Sequence, residues 1–180
     1  MRGIILIIGF ILSLSFQAHS QIKYEGTVMA IFKTFQLEDG TVKYIRYNKD
    51  LKRLLIYNLD HTLWRNIDLP LSKDHELDEI RNISIHTFNK DDLVEVAYSC
   101  YAYHLSDNNY NSSDGSVDSL EFTINIINEK GKSLLQVPGA NNLKIIQSQG
   151  VKKMLIYKQL GKGFGREDEN MVYSLPPDKK

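Results

Sequence analysis

The sequence predicts an all-β, antiparallel fold of meander-like repeats, arranged as a sandwich-like stack or an incomplete propeller. Three observations predict it. Short runs rich in Ile, Val, Leu, Tyr and Phe are bounded by Asp-Gly, Asn-Lys-Asp, Asn-Asn or Gly clusters, as strands separated by tight turns are. Apolar and polar side chains alternate within several runs, the period of a strand with two unlike faces. The same succession of turn, strand and closing proline also returns three times, as sheet repeats do.

Taken in order, the strand runs are Val42–Tyr47, Leu54–Leu59, Thr62–Leu69, Ile80–Phe88, Leu93–Tyr103, Leu120–Asn128, Ser133–Val137, Leu143–Gln147, Lys153–Gln159 and Met171–Leu175. In Thr62–Leu69, Trp64 alternates with Asn66 and Asp68 and so shares their polar face. In the longest run Val94, Val96, Tyr98, Cys100 and Ala102 point one way and Glu95, Ser99 and Tyr101 the other. In Leu120–Asn128, Ile124 and Ile126 share a face opposite Thr123 and Asn125. Between the third and fourth runs, Ser72–Ile80 carries Glu76, Glu79 and Ile80 at spacings that allow one or two helical turns.

The repeat starts from a turn and reaches a tyrosine nine residues later: Asn48 to Tyr57, Asn89 to Tyr98 and Ser148 to Tyr157. Each unit then closes on an apolar residue and a proline, at Leu69-Pro70, Val137-Pro138 and Leu175-Pro176. A second echo joins Ile56-Tyr57-Asn58 to Ile126-Ile127-Asn128, each entering a hairpin. Three units fall short of the four blades of a closed propeller.

The chain opens with Met1-Arg2-Gly3, an apolar run over Ile4–Phe16 and the small-x-small site Ala18-His19-Ser20. These are the parts of a secretory signal peptide, so residues 1–20 are expected to be removed and 21–180 to form a single β-rich domain. The apolar run is shorter than the roughly 20 residues a spanning helix needs, and no membrane span is expected in the mature chain. Losing the leader removes Arg2 alone among the charged residues and leaves 21 basic against 22 acidic. That balance speaks against electrostatic capture of nucleic acid. With Cys100 the one cysteine, no internal disulfide can form in the oxidising compartment that export implies. The expected location is extracellular, cell-surface or periplasmic.

Residues Ile56–Pro70 (Ile-Tyr-Asn-Leu-Asp-His-Thr-Leu-Trp-Arg-Asn-Ile-Asp-Leu-Pro), Phe88–Tyr98, Ile127–Gly131 and Val172–Pro176 resemble segments of secreted proteins of Bacteroidota-type bacteria that carry a type IX secretion sorting domain. The resemblance extends over most of residues 42–176. It implies an exported β-rich module and brings no catalytic residues with it. Such proteins continue into a β-sandwich sorting domain, whereas this sequence ends Pro177-Asp178-Lys179-Lys180.

Candidate sites are few. Asp107, Asn109, Asn111 and Asp118 stand at positions 1, 3, 5 and 12 of an oxygen-rich loop, which is calcium-loop spacing. Position 6 is Ser112 instead of glycine, and the same residues make an ordinary solvated loop. Gly161-Lys162-Gly163-Phe164-Gly165 lacks the Gly-Lys-Ser/Thr ending of a phosphate loop. His61, His75, His86 and His104 have no zinc-ligand spacing. Asp91, Asp92 and Glu95 read as carboxylates of a solvated strand edge, and glycosidase chemistry would need two of them facing across a cleft. Cys100, on an apolar face, reads as a buried thiol. Trp64, with Tyr101 and Tyr103, is the candidate for ligand contact, since aromatics anchor sugars and protein partners alike.

The expected function is an exported, non-catalytic binding or surface-associated module with a glycan or an envelope protein as partner and no cofactor besides calcium. The alternatives are a structural or interaction domain of a cell-envelope assembly, and a glycan-active hydrolase.

Overall fold

The computed structural model describes Tyr24 and residues 33–104, 119–158 and 169–177. Met1–Ala30 and Ile31–Lys180 are separate compact units, and the fold below is that of the second. Its described residues form eleven strands: β1 (Lys33–Gln36), β2 (Val42–Asn48), β3 (Arg53–Tyr57), β4 (Leu63–Asp68), β5 (His75–Ser84), β6 (Glu95–His104), β7 (Ser119–Asn128), β8 (Ser133–Pro138), β9 (Ala140–Ser148), β10 (Val151–Lys158) and β11 (Glu169–Ser174). They make three sheets in chain order, β1-β2-β3-β4, β5-β6-β7-β8 and β9-β10-β11, every pairing antiparallel between consecutive strands. The all-β meander fold is therefore as the sequence predicts, and no described strand closes the sheets into a barrel.

Consecutive antiparallel strands need only short turns, and this chain reuses one turn design. At β1–β2, β3–β4 and β7–β8 the first residue's amide donates to a carbonyl four residues on (Leu37 to Thr41, Asn58 to Thr62, Asn128 to Lys132). In each, the residue three positions on donates back to the first residue's carbonyl, and it has positive φ: Gly40 at 83°, His61 at 67° and Gly131 at 77°. A type I turn followed by a left-handed residue gives this geometry. The echo between Ile56-Tyr57-Asn58 and Ile126-Ile127-Asn128 is thus structural. Both stretches carry a register shift just before the hairpin, at Ile56/Tyr57 and at Ile126/Ile127.

The closing prolines also mark real boundaries. Leu69-Pro70 follows β4, Val137-Pro138 ends β8 and Leu175-Pro176 follows β11, each terminating the last strand of a sheet. The nine-residue spacing to tyrosine does not mark equivalent positions. Tyr57 ends the third strand of its sheet, while Tyr98 and Tyr157 lie on second strands. Tyr98 is wholly buried and Tyr157 is not.

Two apolar cores flank the second sheet. On one face Val94, Val96, Tyr98, Ile80, Ile83 and Ile127 meet Ile45, Leu54, Ile56, Ile67 and Leu69 of the first sheet's side. On the other, Ala97, Ile124, Ile126 and Val137 meet Ala140, Met154 and Ile156 at the third sheet. Strands β6 and β7 feed both cores, which explains their near-continuous apolar runs.

Three sequence expectations change. Ser72–Ile80 is not helical: a turn, in which the His75 amide bonds the Ser72 carbonyl at 3.2 Å, leads into β5. Two register shifts in β5 leave Asp78 and Arg81 outside the ladder, and the freed side chains pair at 2.9 Å. Bulges re-aim side chains in this way, and Ser99 bonds both partners. Secondly, β1 was not foreseen, because Lys33-Thr34-Phe35-Gln36 is a short edge strand with one apolar residue.

The third change concerns Glu95, which is no solvated edge carboxylate but is fully buried. It accepts hydrogen bonds from the Ser84 hydroxyl (2.8 Å) and the amides of Phe88 (3.0 Å) and Asn89 (2.6 Å). Glu38, on the β1–β2 turn, reaches the same segment and accepts from the Thr87 hydroxyl (2.7 Å) and the amides of Ile85 (3.1 Å) and His86 (3.2 Å). The β5–β6 connection is therefore clasped by two carboxylates, Glu38 from the first sheet's β1–β2 turn and Glu95 from the start of β6 itself. Backbone amides that no ladder uses are paired in this way.

Candidate functional site

An open groove of about 550 Å³ lies between the first two sheets. Its floor is the fringe of the first core: Tyr47, Leu71 and Leu77 are each half-buried and packed against it. One rim is the β2–β3 turn with Lys49 and Lys52 exposed. The other holds Asp74, His75, Glu76 and Tyr103 from the start of β5 and the end of β6.

Local backbone chemistry sets both rims. The Asn48 side chain accepts the Leu51 amide at 3.1 Å, a local side-chain bond that folds the hairpin tip back. Lys52 follows with φ 51°, and its carbonyl takes the Leu69 amide at 2.9 Å, anchoring the tip to the first sheet's last strand. Opposite, Asp74 has φ 64° and hands the chain into β5, where Glu76 pairs with Tyr101 of β6.

A network crosses from rim to rim. The Lys49 ammonium donates to both Glu76 oxygens at 3.2 and 3.1 Å. The Tyr101 hydroxyl donates to Glu76 Oε2 at 3.2 Å, and its ring meets Tyr103 edge-on, 5.2 Å between centroids at 84°. The hydrogen bond and charge of Lys49, helped by Tyr101, hold the Glu76 carboxyl below its ordinary range. Its contact with Tyr103, then burial and the Glu76 charge, push the Tyr101 phenol up to about 12. Burial, with the Glu76 charge, raises Tyr47 as well. Glu76 is thus a fixed anion, and both tyrosines are neutral hydroxyls at physiological pH.

Of the sequence-chosen contacts, Tyr103 lines the groove and Tyr101 braces it. Trp64 lies elsewhere. Lys43, beside its ring, and Tyr47, on the groove floor, are four residues apart on β2, roughly 13 Å at strand rise. The Trp64 ring is half-buried against the first core, with the Lys43 ammonium 4.5 Å and the Arg65 guanidinium 4.6 Å from its centroid. Arg65 is held in turn by Glu129 at 2.8 Å. Cations close to an aromatic ring in this way stabilise the fold and do not leave a bare platform.

Tyr47, Lys49, Lys52, Leu71, Asp74, His75, Glu76 and Leu77 were missed as a set, because only the pairing of two sheets unites them. The loop with Asp107, Asn109, Asn111 and Asp118 lies outside the described residues, as does Gly161–Gly165. Among the described residues no three His, Cys, Asp or Glu side chains converge as metal ligands, and no helix is long and apolar enough to cross a membrane.

Cys100 is buried between β5 and β7. Its Sγ accepts from the Asn125 amide at 3.3 Å and donates to the Thr123 carbonyl at 3.7 Å. Burial pushes the thiol's pKa up, against a smaller lowering by Asn125. Reactivity follows thiolate fraction and access. Native protein is therefore expected to react with a thiol reagent such as DTNB at least about 100-fold more slowly than urea-unfolded protein at the same pH.

No family model, curated protein or solved structure matches the chain.

Proposed function

We propose that the protein is an exported, non-catalytic binding module that takes its ligand in the groove between its first two sheets. The observation that carries this reading is the groove's construction: an apolar floor, ionic rims and a half-exposed Tyr103 braced through Tyr101 on Glu76. Concave sites of this make-up, with a few placed polar groups over an apolar base, are where ligands bind. The leader-like residues 1–20 and the resemblance to secreted proteins of Bacteroidota-type bacteria support export. A hydrolase would need an acid kept protonated beside the scissile bond, whereas Lys49 keeps Glu76 ionised. The carboxyl that burial does push upward, Glu95, is buried under its own loop.

One observation favours the interaction-domain alternative. Ile146, Val151 and Val172 are exposed on the outer face of the third sheet, beside half-buried Leu155, and exposed apolar patches mark protein contacts. Thermal melts of the purified chain with calcium, EDTA, glycans and a peptide pool decide between the two. Ligand binding to the native state raises Tm. The groove reading expects a class that raises Tm by several degrees in the wild type and not in Tyr103→Ala. A shift that survives in Tyr103→Ala, or none at all, favours the interaction domain.

A further inference from the structure

Resting on the groove reading above, we infer that the ligand is a neutral sugar chain. Its rings lie by their apolar faces on the Tyr47–Tyr103 side of the groove, and its hydroxyls reach both charged rims.

The charge arrangement points there. Two lysines, 49 and 52, stand on one rim and two carboxylates, Asp74 and Glu76, on the other. The groove as a whole therefore selects neither sign, and an anion attracted to Lys52 also meets Asp74. The Glu76 charge is already matched by Lys49 at 3.1 Å. A charged ligand would have to break that pair or lie between Lys52 and Asp74, one of which opposes its charge. Neither Lys52 nor Asp74 has a side-chain hydrogen bond or ion pair among the described residues, so one rim offers a spare donor and the other a spare acceptor. A hydroxyl both donates and accepts, and a molecule with hydroxyls on both edges satisfies the two rims without adding charge.

The floor supplies the other half. Tyr47, Leu71 and Leu77 present carbon to the groove while remaining fixed by the first core. Tyr103, 52% exposed, is held perpendicular to Tyr101. An aromatic ring fixed before the ligand arrives gives contact area with little loss of rotamer freedom. The C–H faces of a pyranose match such a surface, and its equatorial hydroxyls point outward to the rims. A volume near 550 Å³ lies within the range of roughly 300–1,000 Å³ for small-ligand sites.

Isothermal titration of the purified chain tests this with neutral hexasaccharides (cello-, xylo-, manno- and laminari-) and acidic ones (oligogalacturonate and oligoalginate), each at low and high salt. The expected result is saturable binding of at least one neutral sugar, indifferent to salt, weakened about tenfold or more by Tyr103→Ala and restored in Tyr103→Phe. Binding of acidic sugars alone, falling with salt and lost in Lys52→Ala, would overturn the neutral class and leave the groove as the binding site. Neutral binding untouched by Tyr103→Ala would overturn the groove as its seat. Silence from every sugar overturns the sugar inference, while a peptide or calcium shift absent from Tyr103→Ala would still support the binding module.

Discussion

Replacing Glu95 by glutamine is expected to lower folding stability by about 2 kcal/mol, although the two side chains have nearly the same shape. Packing is conserved, so the loss reports hydrogen bonding. The carboxylate accepts from the Ser84 hydroxyl and from the amides of Phe88 and Asn89. Glutamine offers one oxygen and turns an N–H₂ toward groups that are themselves donors. At least one amide of the connection is left unpaired, at about 1–3 kcal/mol, a loss partly offset because burial no longer opposes a charge at this position. For a domain of this size, 2 kcal/mol corresponds to a Tm lower by roughly 4–8 °C. Urea and thermal melts of the variant measure it, and a change under about 1 kcal/mol would mean that the β5–β6 connection is held without the clasp.

The pH dependence of the same clasp has two limbs of opposite sign. Burial pushes the Glu95 carboxyl above its ordinary value of 4.5, against the smaller pull of the Phe88, Ser84 and Asn89 hydrogen bonds. The folded state then holds this proton more tightly than the unfolded chain. Its contribution to stability therefore falls as pH rises from the ordinary value through the folded one, and is level above that. Glu38 behaves in reverse. Burial raises it, but the Thr87 hydroxyl and the amides of His86 and Ile85 together outweigh burial and hold it low. Its contribution is complete above the ordinary value and is lost as pH falls through the folded one. Glu95→Gln should remove the decline on the neutral side, Glu38→Gln the loss on the acid side, in urea midpoints taken between about pH 3 and 7.

The sequence carried the strands better than it carried the site, and particular residues show why. Alternation placed Ile124 and Ile126 on one face, and both enter the core against the third sheet. The Leu69-Pro70, Val137-Pro138 and Leu175-Pro176 pairs end the three sheets, because proline withholds the amide a further strand would need. Local rules suffice for such features. Glu95 was misread because alternation assigns a face but not whether something covers that face, and the β5–β6 loop folds over Glu95. The helical spacing at Ser72–Ile80 failed for a related reason: two bulges spread Asp78 and Arg81 out of strict alternation, which erased the strand's period. The groove needed more still. Lys49 and Glu76 are 27 residues apart, and nothing in the residues between them announces their meeting. Trp64 looked like a contact residue on its polar-face alternation, yet Lys43 and Arg65 lie against its ring.

The two cores share strands, and that sharing makes a further result predictable. Tyr98 is wholly buried in the first core, and its hydroxyl donates to the Pro70 carbonyl at 3.3 Å. Tyr98→Phe removes only that bond, at about 1 kcal/mol. Tyr98→Ala empties the ring's volume as well and is expected to cost about 4 kcal/mol. Ile156, wholly buried in the second core, is expected to cost about 3 kcal/mol as alanine. The two residues lie on opposite sides of the second sheet and share no hydrogen bond, so their losses should add to within about 0.5 kcal/mol. The sum is comparable to the whole stability of a typical domain, about 5–15 kcal/mol, and the double variant should be largely unfolded at 37 °C. Each single variant, in contrast, should unfold in one transition. Val96 and Ala97 are neighbours on β6 and face different cores, so neither core can loosen without disturbing the strand on which the other is built. Two separate transitions in Ile156→Ala, the earlier confined to the third sheet's signals, would show that the third sheet melts by itself and that the second sheet does not couple the cores.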